Sequence, residues 1–322
     1  MLTIYQLMKY LRNTHHIEVG SNQTQLLRNL GYYHGFKGYR FIRNDADRIN
    51  FSSLDEIAAL NKFDMQLKTI LYPKVMFIEN ALKSYVIEGL LKDSNSENFE
   101  DIFNRSLTAY KQYSSGSKKY IEEYKKRMIL KQKINVALVR DYEKRKVVSH
   151  FFNNDIVIPI WAIFETLTLG EFGTLFACSS SKVKLYVSKI MKLPAQYDSD
   201  GRITQFFIYT IKDLRNAIAH NTAVFDTRFK TGDVSKRFCQ LLEKETGIIN
   251  IDFNYMDAYV IMIVYFLRKM GDSKTSCKQF IASYQAQTDY LRSTLPISIC
   301  NKILGTQHKD NMNKLKLFIS KS

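Results

Sequence analysis

The sequence predicts an all-α protein, and three observations favour this fold class. The 322 residues include only 4 prolines and 13 glycines, so few helix-breaking residues interrupt long stretches rich in Leu, Lys, Glu and Ile. Apolar residues recur at helical spacing in most of these stretches. Hydrophobic residues make up 45% of the chain, a content typical of a globular protein and not of a disordered one.

The N-terminal region, residues 1–50, is predicted to hold two short helices and a connection. Apolar residues within 4–11 stand at i, i+3, i+4 and i+7, and a second helical pattern covers 24–30. Residues 31–41 then combine three glycines with five aromatic residues. This composition indicates a tight connection that packs against a core.

The region 51–230 is predicted to form the helical core. Ser53 and Glu56 have the spacing of a capping box, which predicts the start of a long helix. The apolar pattern of this helix continues to about Leu91 and is interrupted only by Pro73.

Two glycines and two aspartates in the second half of this core indicate boundaries between its helices. A helix predicted over 162–169 is expected to break at Gly170 and Gly173. Asp198 and Asp200 form an Asp-x-Asp pair, which can be half of a metal site, but no other acidic cluster accompanies it. We therefore expect a turn and a helix cap there, and no metal site.

Residues 111–146 are a basic insertion in the core. They hold twelve Lys and Arg against four Asp and Glu, and four tyrosines stand among the cations. This composition suits contact with RNA phosphates combined with base stacking. It fits equally well a solvated helix hairpin whose tyrosines face the core. The candidate RNA-binding residues are Lys118, Lys119, Lys125, Lys126, Arg127, Lys131 and Lys133.

Residues 231–322 are predicted to form a C-terminal helical region. Helical patterns lie near 234–245, 254–270 and 274–292. The residues from Gly305 onward are predicted to be a basic tail.

The charge of the whole chain favours a polyanionic partner. The net charge is +16 and the pI is near 9.5, and nucleic acid is the first partner to expect because neutralising phosphates releases counterions. The four cysteines are widely spaced, so we expect reduced thiols with neither a disulfide framework nor a zinc site. The N-terminus lacks the features of a signal peptide, and the most apolar run, 258–267, is too short for a membrane helix. A cytoplasmic protein without membrane contact is expected.

The chain contains one short candidate catalytic motif and none of the common ones. The chain has no phosphate-binding loop, dinucleotide-binding fingerprint, zincin motif or nucleophile elbow, and no cofactor is expected. The candidate catalytic residues are Arg215, Asn216 and His220. A similar Arg-to-His spacing also occurs from Arg28 to His34 and from Arg145 to His150. Only the copy at 215–220 lies in a strongly amphipathic helix, which is predicted over 203–221.

The residue types of this motif suit the cleavage of RNA without a metal ion. That reaction needs a group that takes the 2′-hydroxyl proton, a cation for the phosphate and a proton donor for the leaving oxygen. His titrates near neutral pH, and Arg has a planar fork that matches phosphate oxygens. Asn216 and His220 share a helix face, whereas Arg215 and His220 point about 140° apart. Convergence therefore needs a long Arg that reaches round the helix, a helix end at His220, or a second subunit.

Several further motifs occur in a characteristic order over about residues 20–225. They are Gly31-Tyr32-Tyr33 through Gly38-Tyr39, Phe63-Asp64 leading to Ile78-Glu79-Asn80-Ala81-Leu82, Pro159-Ile160-Trp161 with Glu165 and Gly170, and Leu214-Arg215-Asn216 to His220-Asn221. In these motifs the chain resembles the Abi-like family of abortive-infection proteins, the AbiD/AbiF type, which belongs to the HEPN superfamily.

The resemblance implies a HEPN-type helical bundle with additional N- and C-terminal helices, and a toxin-like role in stopping phage growth. It implies that Arg215 and His220 match the ribonuclease motif of the superfamily and that Asn216 takes its polar position. It also implies a homodimer in which two motifs make one composite site, and control by a small structured antitoxin or guide RNA. The connection departs from relatives at 34–37, which leaves the RNA target open.

Two functions from different classes remain open. The preferred interpretation is a metal-independent endoribonuclease toxin that acts by 2′-hydroxyl attack. The alternative is a non-catalytic RNA-binding protein that acts by sequestration, in which Arg215 and His220 only hold a structured RNA. A third interpretation, a DNA-binding unit formed by the N-terminal region, lacks a clear recognition helix.

Overall fold

The computed structural model describes residues 2–321 and consists mainly of helices, which confirms the predicted fold class. The α-helices are α1 (Ile4–His15), α2 (Thr24–Leu30), α3 (Leu54–Ser94), α4 (Phe99–Arg105), α5 (Lys118–Asp141), α6 (Lys146–Asn153), α7 (Ile160–Thr166), α8 (Leu169–Cys178), α9 (Ser181–Ile190), α10 (Arg202–Ala219), α11 (Lys236–Thr246), α12 (Met256–Lys269), α13 (Lys274–Thr294), α14 (Ile297–Leu304) and α15 (His308–Lys321).

Shorter elements connect some of these helices. Two 3-10 turns lie at Ser21–Gln23 and Ala109–Gln112, and a π-helical turn lies at Gly31–Lys37. A small antiparallel hairpin pairs β1 (Phe41–Ile42) with β2 (Asn44–Arg48). The predicted glycine-rich connection is therefore a π-helical turn followed by this hairpin.

The described chain divides into two compact units. The first contains the residues up to Val75, Asp213–Val234 and those from Cys239 onward, and the second contains Met76–Lys212 and Ser235–Phe238. The long helices α3 and α10 each contribute residues to both units.

The core of the first unit is centred on α12. Every residue from Met256 to Leu267 is buried, and α12 packs against α13 and α15. The buried carboxylate of Asp257 accepts hydrogen bonds from the Tyr284 hydroxyl at 2.9 Å and from Asn311 Nδ2 at 3.2 Å, and lies 2.8 Å from His308 Nδ1. These contacts join three helices around one polar group.

The C-terminal segment is a helix, and the prediction of a basic tail from Gly305 was wrong. Residues Met312, Leu315 and Ile319 of α15 are buried and stand at i, i+3 and i+7. Their apolar stripe packs on α13 and α12, while the lysines of α15 lie on its other faces.

The second unit is built around α5, which packs against α7 and α8. The predicted break at Gly170 and Gly173 was wrong, since both glycines lie inside α8. The break falls just before it, where Thr168 and Glu171 form a capping box. Gly173 allows close packing, because a Cβ there would lie 3.1 Å from atoms of the Ile208 and Tyr209 side chains.

Helix α3 begins at the predicted capping residues and continues through Pro73. Ser53 Oγ accepts a hydrogen bond from the backbone of Glu56 at 3.3 Å, and the Glu56 carboxylate accepts one from the backbone of Ser52 at 2.7 Å. Pro73 lies inside the helix without ending it. Among the described residues, no helix has the length and apolar character that crossing a membrane would need.

Candidate functional site

The motif lies at the C-terminal end of α10, in the part that belongs to the first unit. Leu214 and Ala217 are buried, Arg215 and Asn216 are half-buried, and His220 is exposed. The buried side of this helix fixes its orientation in the unit, so the polar side chains have defined positions.

The helix ends immediately before His220. The backbone amide of Thr222 donates to the carbonyl of Ala217 at 2.9 Å, and the amide of Asn221 donates to the carbonyl of Ile218 at 3.2 Å. Asn221 has φ = 54°, so these contacts form a Schellman motif with Asn221 in the left-handed position. His220 is thereby the C-cap residue and is presented at the helix end.

Arg215 reaches toward the side chain of its neighbour. Its Nη1 donates a long hydrogen bond of 3.4 Å to Asn216 Oδ1. The backbone amide of His220 donates to the Asn216 carbonyl at 2.9 Å, so these two residues are one helical turn apart. One of the conditions for convergence, a helix end at His220, is thus present.

A buried carboxylate holds the segment that follows the motif. Asp64 of α3 is 0% exposed, and its Oδ1 accepts hydrogen bonds from the backbone amides of Val224 at 2.7 Å and Phe225 at 2.9 Å. Its Oδ2 accepts one from the Tyr39 hydroxyl at 2.8 Å and lies 2.7 Å from Lys68 Nζ. Four donors therefore satisfy both oxygens of this carboxylate.

Lys68 connects this carboxylate to the motif. Its side chain is almost fully buried, and Nζ donates to Asn221 Oδ1 at 2.8 Å. The Asp64–Lys68 pair thus holds the chain directly after His220 through Asn221, and again a few residues later through two backbone amides.

Tyr39 completes the network from the connection between α2 and α3. Its ring stacks on Phe225 at a centroid distance of 5.5 Å. Burial, together with the negative charge of Asp64, raises the pKa of the Tyr39 hydroxyl far above its usual value. The hydroxyl therefore stays protonated and donates to Asp64.

A second ion pair anchors the same loop. The buried Asp226 accepts two hydrogen bonds from Arg228 Nε, at 2.9 and 2.8 Å, and one from the backbone amide of Arg43 at 2.8 Å. Arg228 also donates to the carbonyl oxygens of Gly38 and Phe41. Hydrogen bonds therefore connect residues 224–228 to the connection and hairpin at 38–43. They hold the segment that directly follows the motif in place.

Sequence reasoning did not identify Asp64, Lys68 and Asn221 as parts of the site. Asp64 and Asn221 lie in the motifs that carry the family resemblance, and Asp64 and Lys68 have the i, i+4 spacing of a helical ion pair. Their contacts to the segment after the motif join residues about 150 to 160 positions apart, and spacing along the chain cannot show such contacts.

The candidate RNA-binding lysines lie on α5, in the second unit. Lys118, Lys119, Lys125 and Lys133 are exposed. Two further lysines of the set have acidic partners: Lys126 pairs with Glu123 at 2.6 Å, and Lys131 pairs with Glu100 at 2.7 Å.

Arg127, a predicted RNA-binding residue, is buried in the structure. It is only 5% exposed, its Nη2 donates to the carbonyl of Phe103 at 2.7 Å, and its guanidinium lies 3.6 Å from the centre of the Phe103 ring. The surrounding run of cations concealed that Arg127 stands three and seven residues before the buried Leu130 and Ile134, on the buried face of α5. Arg127 therefore contributes to packing and is excluded from the proposed RNA-contacting surface.

The other predicted polar features have local roles. His34 and His150 are both exposed. Asp198 Oδ1 accepts a hydrogen bond from the backbone amide of Ile203 at 2.8 Å, which confirms the predicted helix cap. Within residues 2–321, no three His, Cys, Asp or Glu side chains are grouped as metal ligands.

Comparison with known proteins identifies the family. The family model described as "Abi-like protein" matches residues 25–226, which include Asp64, Lys68 and the whole motif. No curated protein and no solved structure matches the chain. Because the family match covers more than half of the sequence, the chain belongs to the Abi-like protein family, whose role at the level of the family is abortive infection, a form of phage defence.

Proposed function

We propose that the chain is an abortive-infection toxin that cleaves RNA without a metal ion, with Arg215, Asn216 and His220 as its catalytic residues. The observation that carries the proposal is the side-chain arrangement at the end of α10. Arg215 Nη1 lies 3.4 Å from Asn216 Oδ1, and His220 caps the same helix in an exposed position. A guanidinium, an amide and an imidazole thus come from the last two turns of α10 and its C-cap, and this supports the proposal.

The proposed reaction is an attack of the RNA 2′-hydroxyl on the adjacent phosphorus. The 2′-O–P bond forms, the P–O5′ bond breaks, and the products carry a 2′,3′-cyclic phosphate and a 5′-hydroxyl. An imidazole accepts the 2′-hydroxyl proton, and a proton donor protonates the leaving 5′-oxygen. The Arg215 guanidinium stabilises the charge that develops on the phosphate oxygens.

A homodimer would supply both proton-transfer groups. One His220 cannot accept the first proton and at the same moment donate the second, whereas two copies of the motif around a two-fold axis provide a base and an acid. We therefore propose that the catalytic site is composite, with the motif end of α10 near the axis.

RNA contact through α5 belongs to the same proposal. The exposed lysines of that helix can neutralise phosphates. A small structured RNA that occupies these contacts would hold the toxin inactive until infection, which is the type of control that the family resemblance implies.

The experiment uses the purified full-length protein from its native host and the RNA that copurifies with it. After this RNA is removed, wild type should cleave bulk RNA, and adding the RNA back should suppress cleavage. His220→Ala should bind RNA nearly as well as wild type but should not cleave it, whereas His34→Ala, also at an exposed position, should cleave normally. RNA binding without any cleavage by wild type would favour the sequestration mechanism instead.

A further inference from the structure

Asn221, which directly follows the motif, has a side chain whose orientation the fold determines. Its Oδ1 accepts a hydrogen bond from Lys68 Nζ at 2.8 Å. An ammonium group can only donate, so the amide oxygen has to face Lys68 and the amide nitrogen Nδ2 is turned away from it.

The buried ion pair of Lys68 and Asp64 holds the Asn221 amide in this orientation. Lys68 is 6% exposed and lies 2.7 Å from Asp64, which is 0% exposed. If Lys68 moved away, the Asp64 carboxylate would remain buried without its counter-charge, which is strongly unfavourable. Lys68 therefore keeps one position, and the amide of Asn221 keeps one orientation.

The amide nitrogen of Asn221 is available to a ligand. The side chain is exposed, and Nδ2 has no hydrogen-bond partner among residues 2–321. The backbone at Asn221 explains only why the residue tolerates φ = 54°, a role that Gly fills at least as well. The left-handed backbone at Asn221 does not require the buried ion pair. The ion pair instead fixes the orientation of the Asn221 amide nitrogen, next to His220 in the chain.

We propose that Asn221 contacts the substrate and that its Nδ2 donates a hydrogen bond to a nonbridging phosphate oxygen of RNA, with Lys68 as the positioning residue. This rests on the proposed function, because the ligand is the RNA phosphate at the motif. A neutral donor at this point adds to the charge of Arg215 and favours the oxygen that gains charge during attack.

Two substitutions at position 221 test the contact while the helix end is retained. Asn221→Gly keeps the left-handed backbone and removes the amide. Asn221→Asp keeps an oxygen toward Lys68 and replaces the donor by a second oxygen that repels phosphate. Both should lower kcat/KM for RNA cleavage by about 10- to 100-fold, the effect of one hydrogen bond to a charged group. Asn250→Gly is the matched control, since Asn250 is also exposed and has φ = 59° in the same unit.

The role of Lys68 requires a test that a general loss of stability would not mimic. The double variant Asp64→Asn with Lys68→Met removes both charges, so no unpaired charge stays buried. It should lower kcat/KM about as much as Asn221→Gly does, and adding Asn221→Gly to it should lower kcat/KM by less than about threefold more. Fully multiplicative losses would show that Lys68 does not act through Asn221.

A binding measurement separates this proposal from the proposed activity. A 2′-O-methyl RNA oligonucleotide cannot be cleaved by 2′-hydroxyl attack, so it can be titrated into the 15N-labelled full-length protein. The side-chain amide signals of Asn221, assigned by their absence from Asn221→Gly, should shift on binding. A shift without any cleavage of ordinary RNA would support the contact and contradict the ribonuclease. Unmoved amide signals at saturation, or normal cleavage by both variants at position 221, would overturn the contact whatever the activity.

Discussion

The carboxylate of Asp64 and the ammonium of Lys68 lie 2.7 Å apart, one turn of α3 from each other, and both side chains are almost fully excluded from solvent. A buried ion pair is not in itself a source of stability, because both charges lose their hydration. Here each charge has a second use: the carboxylate binds two backbone amides after the motif, and the ammonium binds Asn221. The pair is thus part of the support of the candidate site.

Removing one partner of this pair should destabilise the fold strongly. Asp64→Ala leaves Lys68 buried without a counter-charge and leaves the Tyr39 hydroxyl without its acceptor, so the free energy of unfolding in urea should fall by about 3–5 kcal/mol. Asp47→Ala is the control, since Asp47 pairs with Lys302 at 2.8 Å but both side chains are partly exposed. Its effect should stay below about 1 kcal/mol. Similar losses for the two variants would contradict a special role for the buried pair.

The exposed lysines of α5 should account for part of the salt dependence of RNA binding. Replacing Lys118, Lys119, Lys125 and Lys133 together by Gln should weaken binding and reduce the slope of log K against log salt concentration by up to about 3, as expected from about 0.7 per lost contact with single-stranded RNA. Fluorescence anisotropy at several salt concentrations measures this slope. An unchanged slope would mean that these lysines only solvate the surface of α5.

Lys184 should make stability depend on pH in a defined direction. Its Nζ donates to the carbonyl of Ala177 at 2.7 Å, and burial lowers the pKa of Lys184 to about 8, against about 10.4 in an unfolded chain. Between these values the folded state binds fewer protons than the unfolded state, so the contribution of Lys184 to the free energy of unfolding rises with pH. Well below pH 8 the group is charged in both states and its contribution is constant.

The variant Lys184→Met isolates this contribution. Wild type should gain stability relative to the variant by about 1 kcal/mol per pH unit from pH 8 to 10, with no relative change from pH 6 to 7. Lys182→Met, at an exposed position of the same helix, should run parallel to wild type throughout. A flat difference between wild type and Lys184→Met over pH 8–10 would show that the lysine reaches water.

The parts of the fold that depend on local signals were predictable from the sequence. The amphipathic pattern of α10, the cap at Asp198 and the capping box at Ser53 each involve residues within one or two turns, so their spacing carries the information. The motif residues Arg215, Asn216 and His220 also lie within two turns, which is why the sequence shows them together.

The features that were missed depend on distant contacts or on mixed composition. An Asp and a Lys at i, i+4 are usually a surface pair, and only the fold shows that Asp64 and Lys68 are buried. The lysines of α15 dominate its composition and conceal the buried stripe at Met312, Leu315 and Ile319.

The composite-site proposal makes a prediction for mixed dimers. When His220→Ala is coexpressed with wild type, each mixed dimer has one damaged half of the shared site, so activity should fall below the fraction of wild-type subunits. Differently tagged subunits allow mixed dimers to be purified and their RNA cleavage to be measured directly. Activity that simply follows the number of wild-type subunits in verified mixed dimers would mean that each subunit acts alone.

The most direct test of the central claim is the chemistry of the RNA ends that the purified protein produces. Wild type should cleave RNA in excess EDTA and leave 2′,3′-cyclic phosphate and 5′-hydroxyl ends, because the proposed nucleophile is the 2′-hydroxyl and the proposed catalytic groups are side chains. His220→Ala should leave the same RNA intact under the same conditions. Cleavage that requires magnesium and leaves 5′-phosphate ends, or equal cleavage by His220→Ala, would contradict the account.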